Sequence, residues 1–313
     1  MQSSSNTLLD PRKKYWRSVY KNWRLYLFLL PAIASFIAFD YIPMYGIQVA
    51  FKNFSLRTGI SRSPWADPLF KHFIDFFKGR MFLTVVMNTV NLNIYSLIAG
   101  FPLPIILAIL LNELKNKRFM KIIQNVTYAP YFISMVILVG MIKLFFTSRG
   151  IINSLLGLIN VPTIMFLERG ELFPHIYVWS GIWQGIGYSS IIYFASLSGV
   201  PPELHEAAII DGATRMKRIW NINIPHILPT IVILFILSTS SIMSSNFEKI
   251  FLMQNGLNLD NSEVISTYIY KLGIQRASYG MASAIGIFNN IINVILMLLV
   301  NGIAKRVSDI SLF

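Results

Sequence analysis

The chain has 313 residues, a formal net charge of +13 and no cysteine; 54% of its residues are apolar and only 13% are Asp, Glu, Lys or Arg. That charged share is about half of what soluble domains carry. The lack of cysteine excludes disulfides and thiolate metal centres, and the four histidines (His72, His175, His205, His226) share no metal-ligand spacing. A balance this basic suits nucleic acid in a soluble protein. Here the basic residues cluster between long uncharged stretches, which fits membrane topology and not nucleic-acid binding.

Residues 1–24 are polar and basic, with Arg12, Lys13, Lys14, Arg17, Lys21 and Arg24. Tyr15, Trp16, Val19, Tyr20 and Trp23 form one side of an interfacial helix on anionic lipid headgroups, or the segment is a frayed tail; both readings stay open. No small-residue cleavage site follows soon after the next apolar stretch, so a cleaved signal peptide is not expected.

Six stretches without charge, or nearly so, come next: 25–39 with its continuation past Asp40, 81–112, 122–142, 172–202, 219–247 and 281–304. A spanning helix needs roughly 20 apolar residues. The pattern predicts an all-α integral membrane protein with six transmembrane helices, one domain over 25–304 and a short tail at 305–313. Pro31 and Pro43 predict kinks in the first span, Pro102 and Pro104 irregularity in the inner half of the second, and Pro130 a break in the third. The loop to about Arg80 mixes aromatics with charge and suits a short helix lying on the membrane.

Six spans place both ends on one side. With that side inside, it gathers the basic tail, Lys115, Lys117, Arg118 and Lys121 after the second span, Arg215, Lys217 and Arg218 after the fourth, and Lys305 and Arg306. The first block is the strongest, so both termini are expected in the cytoplasm.

The segment between the fourth and fifth spans is the most informative. Paired prolines, Pro201 and Pro202, end one helix and open another. Leu204, Ala207, Ala208 and Asp211 then share a face, and the small alanines let another surface come close. Asp211-Gly212 is a turn pair in which glycine permits the left-handed conformation. Pro225 and Pro229 mark the bent start of the fifth span.

This string resembles the signature of the permease subunits of binding-protein-dependent ABC importers: E-A-A, three residues, G, then I-x-L-P. Glu206, Ala207, Ala208, Gly212, Ile222 and Pro225 match, and Asp211 and Ala213 match the extended form common in sugar permeases. Ile219 stands where phenylalanine is frequent and Ile224 where leucine is usual. YLFLLP at 26–31, YIPMYG at 41–46, YAPYFIS at 128–134, IWQ at 182–184 and FEKIFLM at 247–253 are similar to the branch importing oligosaccharides cut from polysaccharides. The resemblance implies the type I importer permease fold with a cytoplasmic coupling helix in the loop 201–225, in a bacterial cytoplasmic membrane. It further implies a heterodimer with a second homologous permease, two copies of a cytoplasmic ATPase, and an extracytoplasmic solute-binding protein. ATP and Mg would reside on the ATPase, with no cofactor on this chain and no enzymatic activity of its own. Glu206 and Gly212 map to the positions that matter most at the ATPase contact.

Cargo needs a polar path at the bilayer midplane. Polar residues within the spans include Asn88, Asn91 and Asn93; Asn125, Tyr128, Tyr131 and Ser134; Ser189 and Tyr193; Ser238, Thr239, Ser240 and Ser241; and Asn293. The candidates for contact with a sugar are Trp179, Trp183, Gln184, Tyr188, Asn289 and Asn290, since sugars offer C–H faces to aromatics and hydroxyls to amides. The competing role for any asparagine is interhelical glue, and the tryptophans equally suit an interfacial belt. An ion-coupled transporter would need buried carboxylates, and the spans offer only Asp40. No P-loop is present for ATP on this chain. A permease for another solute stays open, because the docking signature reports the motor and not the cargo. The outer loops are slightly basic, which suits acidic oligosaccharides.

Overall fold

Backbone amides in hydrocarbon find no water, so an apolar chain there closes its hydrogen bonds within helices. The computed structural model describes residues 20–308, and these are helical throughout their ordered elements, with one isolated antiparallel bridge between Lys52 and Trp65. The expectations for Tyr15, Trp16 and Val19 and for the end of the tail lie outside the described residues.

Among the described residues five helical stretches are long and apolar enough to cross a bilayer: Trp23–Phe51, Met81–Asn112, Met135–Gly157, Arg215–Ser240 and Tyr279–Arg306. The remaining span, Phe173–Leu197, has 25 residues, about 37 Å at 1.5 Å per residue, and no charge. It is richer in polar groups than the others, with four serines, three tyrosines, two tryptophans and Gln184. Its place accounts for that composition. It packs against the second, third and fifth spans, and buries Gly187, Ser190 and Tyr193 among them.

Prolines shape the spans as their chemistry dictates. The second divides at Phe101 into Met81–Gly100 and Pro102–Asn112. The third, expected as one helix broken at Pro130, is two helices of different character. Lys117–Tyr128 is amphipathic and N-capped by Asn116, whose Oδ1 accepts from the backbone N–H groups of Arg118 (2.9 Å) and Phe119 (3.2 Å). A 3-10 turn, Ala129–Phe132, follows, and Ser134 caps the apolar helix Met135–Phe146. The first span runs as an α-helix to Phe36 and passes through a π turn, Ile37–Tyr41, into a 3-10 stretch, Tyr45–Phe51. Trp23–Phe36 buries no residue, and the span meets the rest of the chain where Tyr45–Phe51 packs on the sixth span.

Three apolar clusters hold the bundle. One joins Leu92, Leu138, Tyr177, Ile250 and Val264, where the second, third and fourth spans meet the helix Phe247–Met253 and the loop after it. A second joins Phe76, Val85, Ile265 and Ile285 at the starts of the second and sixth spans. The third joins Ala108, Tyr193, Leu197 and Ile227, packing the ends of the second and fourth spans against the first half of the fifth.

Asparagines clamp these elements. Asn88 Nδ2 donates to the carbonyls of Asp260 (2.8 Å) and Glu263 (3.0 Å), Asn93 Nδ2 to Ser245 Oγ (2.7 Å), and Asn293 Nδ2 to Ser244 Oγ (2.9 Å). These three side chains thus tie the second and sixth spans to the loop at 244–245 and the turn at 260–263.

Candidate functional site

Two features stand out on this frame. The first is the helix Pro202–Ile210 with the turn after it. Pro202 occupies the first turn, where its missing N–H costs nothing. The helix ends in a Schellman motif: Ala213 N–H donates to the Ala208 carbonyl (2.8 Å) and Gly212 N–H to the Ile209 carbonyl (3.0 Å). Gly212 sits at φ +74°, the left-handed region that glycine enters without penalty. Thr214 then caps a second short helix, Arg215–Arg218, its side chain accepting from Lys217 N–H. A π turn, Ile219–Asn223, leads into the fifth span.

Pro202–Ile210 buries none of its residues. Leu204 is 50% exposed, Ile209 56% and Ile210 86%. Glu206, Ala207 and Asp211 are exposed, while Ala208 and Ala213 are half-buried. A helix with its cap and turn fully built, yet with its apolar side chains uncovered, is shaped as a contact surface.

The second feature is a pair of cavities along the second and fourth spans, the larger closed by the fifth span and the smaller by Met135 of the third and the start of the helix Phe247–Met253. The larger, of about 780 Å³, is walled by Asn93, Tyr188, Ser189, Ser238, Ser241 and Ser244 among apolar neighbours. The smaller, of about 310 Å³, includes Gln184, Asn246 and Lys249. Ser96, Gly100, Pro104 and Ser189 line both, so the two adjoin.

The sequence candidates separate here. Tyr188 walls the larger cavity and stacks on Tyr131, ring centroids 3.8 Å apart and 4° from parallel. Gln184 walls the smaller one, and its Nε2 donates to the Ile133 carbonyl (2.9 Å), satisfying backbone freed at the break in the third span. Trp179 and Trp183 line a third, almost wholly apolar cavity of about 500 Å³ with Leu138 and Phe166. Trp179 Nε1 also donates to Tyr95 Oη (2.9 Å), which bonds His175 Nδ1 at 3.0 Å. Asn289 is half-buried and Asn290 exposed on the sixth span; neither lines these cavities. Ser96, Ser244, Asn246 and Lys249 were not among the candidates. Ser96, three residues after Asn93, continues a polar helical face that the sequence displays. No group of His, Asp and Glu among the described residues is arranged to hold a metal ion.

A multi-span bundle with an exposed, capped helix on one loop and a polar cavity between spans has the form of a membrane transport subunit. The chain belongs to the family of binding-protein-dependent transport system inner membrane components, whose model matches residues 100–309. Protein LplB of Bacillus subtilis is 37% identical over 95% of this chain and 94% of its own length. The polygalacturonan/rhamnogalacturonan transport system permease protein YteP of the same organism is 35% identical over 97% and 94%. Among solved structures, a chain of a bacterial ABC transporter involved in the import of the acidic polysaccharide alginate superposes with a TM-score of 0.87 at 38% identity, covering 94% of this chain and 99% of that one. A second structure of the bacterial alginate transporter, in complex with a pentasaccharide-bound periplasmic protein, matches equally well in TM-score, 0.87, at 37% identity. The protein is thus a permease subunit of an ABC importer and not an enzyme.

Proposed function

We propose that this chain is one half of a permease pair that passes oligosaccharides cut from polysaccharides across the bacterial cytoplasmic membrane. In this reading Pro202–Ile210 docks on a separate cytoplasmic ATPase, with Glu206, Ala207, Ala208, Asp211, Gly212 and Ala213 forming the contact. Two ATPase copies bind ATP and Mg, a second homologous permease completes the pathway, and an extracytoplasmic binding protein delivers cargo. Both termini and the loop 201–225 lie in the cytoplasm. The observation that carries the reading is the built but uncovered helix Pro202–Ile210. The serine- and tyrosine-walled cavity supports a hydroxyl-rich cargo, and similarity to a polygalacturonan/rhamnogalacturonan permease supports a polysaccharide source.

Because the chain has no native cysteine, single cysteines report without background. Ala207→Cys is expected to cross-link to a cysteine on the ATPase surface, and less so when ATP drives the complex through its cycle. A membrane-impermeant maleimide applied from the cytoplasmic face is expected to label cysteines at 213–218 and to spare those at 58–63. Labelling of 58–63 alone reverses the orientation. Failure of position 207 to cross-link in an active complex removes the docking role.

A further inference from the structure

Among the described residues two lysines are buried, and they are built alike. Lys52, 4% exposed, donates from Nζ to the Ile60 carbonyl (2.7 Å) and lies 4.7 Å from the centre of the Trp65 ring. Lys249, 3% exposed, donates from Nζ to the Tyr177 carbonyl (2.8 Å) and lies 4.8 Å from the centre of the Tyr177 ring. Neither has a carboxylate: among the described residues the one ion pair joins Lys271 to Glu263. Surroundings distinguish them. Lys52 latches an outer loop and lines none of the cavities described above, whereas Lys249 forms part of the wall of the smaller cavity beside the transport route.

We propose that Lys249 is the cargo-reading cation of this permease, and that it selects oligosaccharides bearing carboxylates. This rests on the oligosaccharide reading given above and narrows it to sugar acids. An ammonium has three donors and no acceptor. The Tyr177 carbonyl takes one donor and the aromatic face attracts the charge without cancelling it. A buried charge without a counter-ion is costly, and a strut between Phe247–Met253 and the fourth span would be cheaper as a neutral side chain. A carboxylate arriving in the cavity supplies the missing counter-charge.

The setting fits such a visitor. Gly181 leaves open the strip of helix against which the ammonium rests; a Cβ there would lie 3.1 Å from Nζ. The four-carbon stem lets Nζ leave the Tyr177 carbonyl for the cavity. Gln184 and Asn246 share the wall; with Gln184 Nε2 on the Ile133 carbonyl and Asn246 Oδ1 on Lys249 N–H, Gln184 Oε1 and Asn246 Nδ2 are the atoms they offer to hydroxyls. One cation flanked by two amides matches a uronic acid residue, which presents one carboxylate among several hydroxyls.

The test is uptake into proteoliposomes holding the complete complex, with trigalacturonate and its neutral methyl ester as probes. Lys249→Met is expected to cut trigalacturonate uptake at low concentration by about tenfold or more, the scale of a lost charge-assisted hydrogen bond. It should do so with an unchanged melting temperature and a smaller effect on the ester. Lys249→Arg should restore most of the loss, and Lys52→Met should leave the acid-to-ester preference as it was. If Lys249→Met lowers uptake of both probes equally, or lowers the melting temperature in step with uptake, Lys249 is a strut and the inference is overturned. It is overturned equally if the wild-type complex prefers the ester, which leaves the oligosaccharide reading standing. A wild-type complex that takes up neither saccharide and answers only to an amino acid or osmolyte removes the oligosaccharide reading itself.

Discussion

Gly212→Val is expected to abolish coupled transport while leaving insertion of the spans intact. The residue holds φ +74°, and a Cβ built on it meets nothing within 4 Å. Space is therefore not the constraint; backbone conformation is. A left-handed L-residue costs roughly 1–2 kcal/mol, and more for a β-branched side chain, which rarely enters that region. The segment can escape the strain by unwinding the Schellman turn, since only the Ala213-to-Ala208 and Gly212-to-Ile209 bonds close it. Pro202–Ile210 buries nothing that would hold it in place, so the helix would lose its fixed angle to the fifth span. Gly212→Asn separates conformation from mere sequence change, because asparagine tolerates the left-handed region. Uptake and cargo-stimulated ATP hydrolysis should survive largely in Gly212→Asn, fall severalfold in Gly212→Ala and vanish in Gly212→Val. Equal activity in all three would mean that the turn does not transmit the stroke.

The second large effect is on assembly and comes from Gly187. A Cβ at this position would lie 2.1 Å from the Thr127 carbonyl oxygen and 2.9 Å from Tyr128 Cδ1. The third and fourth spans touch there backbone to backbone, the close approach that small residues permit between membrane helices. Overpacking of a tight contact costs typically about 1–3 kcal/mol, and here the obstacle is backbone that cannot rotate away. Gly187→Leu should fail to yield a stable chain, and Gly187→Ala should lower the melting temperature by several degrees, on the order of the 2–4 °C per kcal/mol expected for larger domains. Gly185→Ala, two residues away with nothing within 4 Å of its Cβ, should be neutral. A thermal melt of the purified variants decides the matter, and equal stability of the alanine variants at 185 and 187 would contradict the packing.

What the sequence revealed, it revealed through local chemistry. The turn at Gly212 was legible because the pair Asp211-Gly212 and the prolines at 201, 202 and 225 act within a few residues of themselves. The irregularities at Phe101 and at Ala129–Phe132 follow from missing N–H groups at Pro102, Pro104 and Pro130. Most of the spans were legible as stretches poor in charge: among the described residues five helices are long and apolar enough to cross a bilayer, and Phe173–Leu197, too polar to stand out by hydropathy, is legible from its lack of charge. The third was placed too early, over 122–142, where the apolar helix is Met135–Gly157 and carries Lys143 and Arg149. The cavity walls were less legible. Trp183 and Gln184 are adjacent in sequence but about 100° apart on a helix, and they face different cavities. Which neighbour each meets depends on where the third span breaks, and Ile133 captures Gln184 only because that break exposes its carbonyl. Lys249 was hidden for a similar reason. Its stretch looks like the edge of a loop, yet the helix Phe247–Met253 packs on the third span and carries the lysine to the cavity wall.

The most direct measurement is uptake of a labelled oligosaccharide into proteoliposomes that contain this chain, its partner permease, the ATPase and the loaded binding protein. The account predicts uptake that requires enclosed ATP, rises with the loaded binding protein, persists when proton and sodium gradients are collapsed, and is lost in Gly212→Val. Uptake driven by an ion gradient without ATP, or a complex that ignores oligosaccharides and answers only to an amino acid or osmolyte, would contradict it.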